Sequence, residues 1–140
     1  MKQNVWILNH YASDTFFDEG GRHYWFAKYL KENEYKPVVF AANSIHGNGD
    51  YYYDNTNLYS IHHAEKIDIP YIFVKARSYD GNGKKRVLNM FEFYHNIKKT
   101  AKIYAKKSGE KPDVIIASSV HPLTILAGIK IAKYFGIKCI

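Results

Sequence analysis

The chain has 140 residues, enough for one compact domain with a sizeable core, and 46% hydrophobic and 24% charged residues are the proportions of an ordinary globular protein. Its one cysteine, Cys139, excludes an internal disulfide and a cysteine-rich zinc site, and no apolar run reaches the ~20 residues that span a bilayer. The net charge of +7 favours anionic partners such as phosphates, nucleic acid or an acidic lipid face. The start, Met1-Lys2-Gln3-Asn4, does not lead a signal peptide, so the expected location is the cytoplasm or the surface of a membrane.

Short apolar runs alternate with helical patterns along the chain. Residues 5–8, 38–41, 71–74, 114–117 and 137–140 read as strands buried on both faces. Between the first two runs, Trp25, Phe26, Tyr29 and Leu30 share one helical face, which predicts a helix seated on the sheet by Trp25 and Phe26. The segment 43–68 has no clear period, holds Gly47-Asn48-Gly49 and Tyr51-Tyr52-Tyr53, and is long enough to predict a functional loop. Val87, Phe91, Tyr94, Ile97, Ala101, Tyr104 and Ala105 recur at helical spacing through a long helix over about 84–107. The last helix opens at His121-Pro122 and stops before Gly136; with Ile125, Leu126, Ile129, Ile131 and Phe135 nearly all round, it is expected to be well buried. Such alternation predicts right-handed crossovers and an α/β, doubly wound parallel sheet in the order 3-2-1-4-5, ending inside its last strand as a domain cut from a longer polypeptide would.

In that order the first and fourth strands are neighbours whose connections leave in opposite directions, and the crevice at their carboxyl ends is the default ligand site. One loop there holds Asn9, His10 and Gly20-Gly21, and the other reads Ser118-Ser119-Val120-His121-Pro122. Both lead into helix N-termini, whose free N–H groups suit an anion, so a phosphate-bearing ligand is expected. Gly20-Gly21 is also what a tight turn requires, and His121 could equally be a helix cap. The dinucleotide fingerprint, a P-loop and the G-x-S-x-G elbow are all absent, which disfavours nicotinamide chemistry, nucleoside-triphosphate hydrolysis and a serine nucleophile at Ser118 or Ser119. The histidines lack metal-ligand spacing; His62 and His63, adjacent on a strand, point to opposite faces. Lys98, Lys99, Lys102, Lys106 and Lys107 with Lys84, Lys85 and Arg86 make one side of the long helix basic, as a solvated face or a contact to an anionic membrane. No motif for nucleic acid accompanies the charge, so none is expected as a partner.

The stretches "VWILNHYA", "GGRHYWFAKYLKENEYKPVVFAAN", "ARSYDGNGKKRVLNMFEFY" and "PDVIIASSVHPLTILAGIKIAKYFGIKCI" together resemble the N-terminal half of family 4 (group 1) glycosyltransferases. The similarity is greatest to members that build bacterial O-antigen and capsule, including N-acetylfucosamine transferase-like enzymes. It covers essentially all of residues 1–140. The resemblance implies a GT-B architecture of two Rossmann-like domains, of which this is the acceptor-side one; the donor-binding C-terminal domain is not in this chain, which alone should be inactive. It implies a retaining, metal-independent transferase with no cofactor, moving a sugar from a nucleotide-sugar donor to a lipid-linked glycan at the inner membrane face. Carried across by position, Gly20 and Gly21, with Arg22 beside them, fall at the turn that approaches the donor phosphate and the acceptor, and His121 falls at the histidine that contacts the donor sugar. His10, Tyr52, Arg77 and Arg86 are the candidates for acceptor contacts. The alternative is a non-catalytic Rossmann-like module that binds a phosphorylated ligand or a protein partner; an epimerase or dehydrogenase is disfavoured by the missing dinucleotide turn.

Overall fold

The computed structural model describes residues 1–118 and 121–140; Ser119 and Val120, two of the loop residues singled out above, lie outside the described residues. In chain order the elements are β1 (Asn4–Leu8), α1 (Ser13–Asp18), α2 (Arg22–Glu32), β2 (Lys36–Ala42), β3 (Tyr59–Ala64), β4 (Ile69–Val74), α3 (Lys84–Ser108), β5 (Val114–Ala117), α4 (Pro122–Phe135) and β6 (Lys138–Cys139). They form a six-stranded sheet in the order β3-β4-β2-β1-β5-β6. The five runs expected as strands take the expected order and pair in parallel. The sheet is not wholly parallel, however: β3 arises within the segment expected as loop and pairs antiparallel with β4.

The strands are apolar on both sides because both faces are covered. Trp6, Leu8, Phe40, Ile72 and Val74 point to one face and pack against Phe93 and Ile97 of α3 and Ala127 and Ile131 of α4. The residues between them, Val5, Ile7, Val39, Ala41, Tyr71 and Phe73, point to the other and meet Tyr24 and Ala27 of α2. The result is a Rossmann-like, doubly wound α/β domain.

Three helical faces depart from expectation. In α2 the sheet-facing residues are Tyr24 and Ala27, while Trp25 and Phe26 are 44% and 41% exposed. A small residue at the centre of the contact lets the helix backbone approach the sheet, which bulky Phe26 would prevent. In α3 the buried line is Asn89, Phe93, Ile97, Thr100 and Ala101, and Val87 and Phe91 face outward. In α4 the inner face is Thr124, Ala127, Gly128, Ile131 and Ala132, leaving Ile125, Leu126 and Ile129 exposed rather than buried. Gly128 fits because Ala117 Cβ stands only 2.6 Å from where its own Cβ would be.

Candidate functional site

The crevice forms where the chain leaves β1 and β5, which are hydrogen-bonded neighbours. Asn9 stitches its two walls together. Its Nδ2 donates to the Ser118 carbonyl at 2.8 Å and contacts Ser118 Oγ at 3.2 Å, while its Oδ1 accepts the Tyr11 N–H at 3.0 Å. His23, in the first turn of α2, joins the same serine through Nε2 and Oγ at 2.9 Å. Ser118 is thus a hydrogen-bonding loop residue.

His10 and His121 meet across the crevice, with Nδ1 of the first 3.1 Å from Nε2 of the second. Such a bond needs one nitrogen protonated and the other bare, so the pair does not accommodate two charged imidazoles. His10 is 1% exposed and its ring packs on Phe93 at 4.4 Å. Burial first, and then the neighbouring His121, push its pKa down to about 3. Burial also lowers His121, with the Arg86 charge acting in the same sense. His121 is the residue before α4 and keeps an extended backbone, φ −135° and ψ 153°, ahead of Pro122.

Arg86, in the first turn of α3, is the cation of this crevice. Its Nη2 donates to the Tyr11 hydroxyl at 3.3 Å and its Nη1 to Asn82 Oδ1. Tyr11 sits edge-on to His46, and His46 Nδ1 is hydrogen-bonded to the Tyr79 hydroxyl. Burial, followed by the nearby Tyr11, raises the Tyr79 pKa, so it stays a neutral phenol. Asn89 lies one turn behind Arg86; its Nδ2 donates to Ser44 Oγ at 2.8 Å and to the Arg77 carbonyl at 2.7 Å. The loops after β2 and β4 are thereby tied to the start of α3.

The helix starts around this crevice are electrostatically bare. The first turns of α2, α3 and α4 hold no acidic residue, and among the described residues no cap side chain is hydrogen-bonded to any of the three. Each instead sends a basic or imidazole side chain into the cluster: His23, Arg86 and, at the cap of α4, His121. A cation at a helix N-terminus opposes the helix dipole, so the arrangement is stabilised by an anion placed among the three ends.

The residues expected from sequence distribute unevenly. His121 and Arg86 lie together in the crevice. His10 is there too, but buried behind His121, so it orients that ring and does not offer a surface to an acceptor. Gly21, at φ +97°, caps α2, and a Cβ on it would stand 2.9 Å from Thr15 Cγ2, so turn geometry and packing both account for the glycine. Arg22 is exposed beside a small groove it shares with His23, Phe26 and Ser118. Tyr52 lies elsewhere: its hydroxyl donates to Asp14 of α1 and its ring stacks on Phe17. Arg77 is held at 2.7 Å by Glu92 on the outer side of α3, not brought to the histidine pair. Tyr11, His46, Tyr79 and Asn89 were not foreseen as site residues. Among the described residues, no group of three or more His, Cys, Asp or Glu side chains could hold a metal ion. No helix among them is long and apolar enough to cross a membrane.

Comparison with protein-family models and with curated proteins gives no match. Among solved structures, the chain is similar to two crystal structures of the C-terminal domain of a hydrogenase from Pyrococcus furiosus. One, residues 78–226, aligns with a TM-score of 0.59 and 13% identity over 100% of this chain and 91% of that one. The other, residues 83–215, aligns with a TM-score of 0.59 and 11% identity over 100% and 92%. At these identities the likeness is one of fold alone.

Proposed function

We propose that the domain is the acceptor-side half of a retaining, nucleotide-sugar-dependent glycosyltransferase of bacterial surface-polysaccharide synthesis. The observation that supports this best is that three helix starts with no acidic residue in their first turns surround the crevice that holds Arg86. When a nucleoside diphosphate leaves a sugar, negative charge grows on its phosphate while the sugar becomes oxocarbenium-like. Fixed N–H dipoles and a held guanidinium lower the energy of that state without reorganising. His121, neutral at pH 7 and aligned by His10, offers an uncharged polar ring to the donor sugar. Gly20 and Gly21 set the turn that lets α2 begin beside it. In this reading a second domain supplies the rest of the nucleotide site and no metal is required. The acceptor is a lipid-linked glycan, and α3 rests its lysine-rich side, with exposed Val87, Leu88 and Phe91, on the anionic inner face of the plasma membrane.

The cations and dipoles of the crevice all belong to this one chain, which also favours a second reading, a module that binds a phosphorylated ligand without turning it over. Both readings require the crevice to bind a diphosphate. Titration of the ¹⁵N-labelled chain with UDP-N-acetylglucosamine, GDP-mannose and inorganic pyrophosphate is expected to shift amides around Tyr11, Arg86 and His121. Arg86→Gln is expected to weaken binding about tenfold, the loss of roughly 1.4 kcal/mol from one charge-assisted contact. Absence of any shift at those amides would refute both readings. Binding, without sugar transfer by a polypeptide that joins this domain to a donor-binding one, would leave the module.

A further inference from the structure

In a doubly wound sheet the crossover between two parallel strands normally places a helix against the sheet. Between β2 and β4 this chain has none; the 43–58 segment and β3 take its place. The face beside β3 is covered by α1, Tyr24 of α2, the tyrosine loop and the turn after β3, and an open cavity of about 570 Å³ remains between them. That volume lies inside the range of about 300–1,000 Å³ typical of small-molecule sites.

The cavity is lined by rings and rimmed by carboxylates, Phe16, Phe17, Tyr53 and His62 against Glu19 and Glu65. The rings are held in place by one another. Tyr53 stacks on His62 with centroids 3.5 Å apart and planes 7° from parallel, and both stand edge-on to buried Phe73. Phe17 keeps 46% of its surface exposed although Phe16 braces it from 5.0 Å. On the rim Glu19 is paired with Lys66 at 2.8 Å, whereas Glu65 has no ionic partner among the described residues.

This mixture selects the chemistry of an occupant. A wholly apolar molecule would strip water from the carboxylates and give them nothing in return. A phosphate would be repelled by Glu65, whose charge is not offset because Lys66 is already paired with Glu19. A pyranose satisfies both parts: its C–H face lies flat on aromatic rings, and its vicinal hydroxyls donate to carboxylate oxygens. Phe17 and Glu19 close α1 and lead into the Gly20-Gly21 turn, so along the chain the cavity adjoins the turn from which α2 starts. We infer that this cavity is a saccharide subsite, taking one pyranose unit of the acceptor glycan at a distance from the reacting end. Its assignment to the acceptor rests on the transferase reading.

The test is amide-shift titration of the ¹⁵N-labelled chain with the methyl glycosides of galactose, N-acetylglucosamine and fucose. At least one is expected to give saturating shifts confined to residues 16–19, 53 and 62–66, with a Kd on the order of 1–10 mM. Phe17→Ala and Glu65→Gln, both at exposed positions, are each expected to weaken that binding at least fivefold while the rest of the spectrum stays native. If all three glycosides leave those amides unmoved at about 50 mM, or if shifts survive both substitutions, the inference fails. Shifts at Arg86 and His121 with UDP-N-acetylglucosamine, without glycoside shifts at the cavity, would remove the subsite and keep the transferase reading. The converse would keep a saccharide site and remove the transferase.

Discussion

The buried histidine pair makes a prediction about acid stability whose sign and size follow from its environment. His10 titrates at about 3 in the folded chain, against an ordinary value of 6.5, because it is buried beside His121. Unfolded, it titrates near that ordinary value. Between the two values the unfolded chain therefore holds a proton that the folded chain excludes, and the folded state loses ground as pH falls. Above about pH 6.5 the group contributes no loss; below it the cost is about 1.4 kcal/mol per pH unit, or ~2.7 kcal/mol by about pH 4.5. His23, His62 and His121 are also lowered by burial and steepen the fall in the same window. His10→Asn places an amide near the position of Nδ1, so the contact to His121 survives while the titration does not. Urea unfolding followed by circular dichroism, repeated at steps from about pH 7.5 to about pH 4.5, gives stability against pH for both proteins. The variant is expected to be less stable at neutral pH, having lost the ring packed on Phe93, yet its curve is expected to be flatter by close to one proton. Parallel curves would refute the argument, because they would mean that His10 takes up its proton equally well in both states.

Two further outcomes test other parts of the structure. Gly128→Ala would place a methyl group 2.6 Å from Ala117 Cβ and 3.1 Å from Cys139 Sγ, with no strained φ to complicate the reading. Overpacking at ~1–3 kcal/mol outweighs the ~1 kcal/mol gained in helix propensity, so Tm is expected to drop by several degrees in a thermal melt; an unchanged or raised Tm would show that α4 does not pack as described. In vesicle sedimentation, the chain is expected to bind liposomes containing phosphatidylglycerol and to leave phosphatidylcholine liposomes in suspension. Replacing Lys98, Lys102 and Lys106 together by Gln is expected to reduce that binding at least tenfold, at roughly 1 kcal/mol per lysine near an anionic surface; equal binding to both vesicle types would remove the basic side of α3 from the reading.

The parallel strands were legible because a strand covered on both faces must be apolar at every position, and runs such as 38–41 have no other common explanation. β3 hid for the complementary reason. It is an edge strand with Ile61 exposed and His62 turned inward, so its pattern inverts the usual alternation. The three long helices lie where the sequence pattern puts them, but α1 (Ser13–Asp18) falls in a stretch that reads as loop, and the buried faces of the helices differ from the pattern. The pattern marks the large apolar residues as the buried ones, yet α2 and α4 meet the sheet through Ala27, Ala127 and Gly128, because close approach of backbone to sheet rewards small side chains. The large residues are left on the flanks, where Trp25, Phe26, Ile125, Leu126 and Ile129 now stand exposed.

The candidate site divides along the same line. His121 is placed at the crevice by the sequence because it sits beside a helix start that topology assigns there; Arg86 reads only as a candidate acceptor contact on the basic side of α3, since the loop after β4 is not one of the two that the switch point selects. Tyr11, His46 and Tyr79 could not be placed, since they reach the crevice from three different loops and no spacing relates them. Asn89 did leave a signal. It occupies the buried line of α3 with Phe93 and Ile97, where an unsatisfied amide would cost about 1–3 kcal/mol, so its presence there implies partners held in place for it. Those partners are Ser44, two residues past the end of β2, and Arg77, on the chain leaving β4. A leucine at this position would bury as well but would release both loops, and with them the surroundings of Tyr79 and His46. On α3 the buried amide of Asn89 is thus where the fold grips these two loops. Arg86 lies three residues, just under one turn, before Asn89, so the anchor that holds the two loops also steadies the guanidinium that donates to Tyr11.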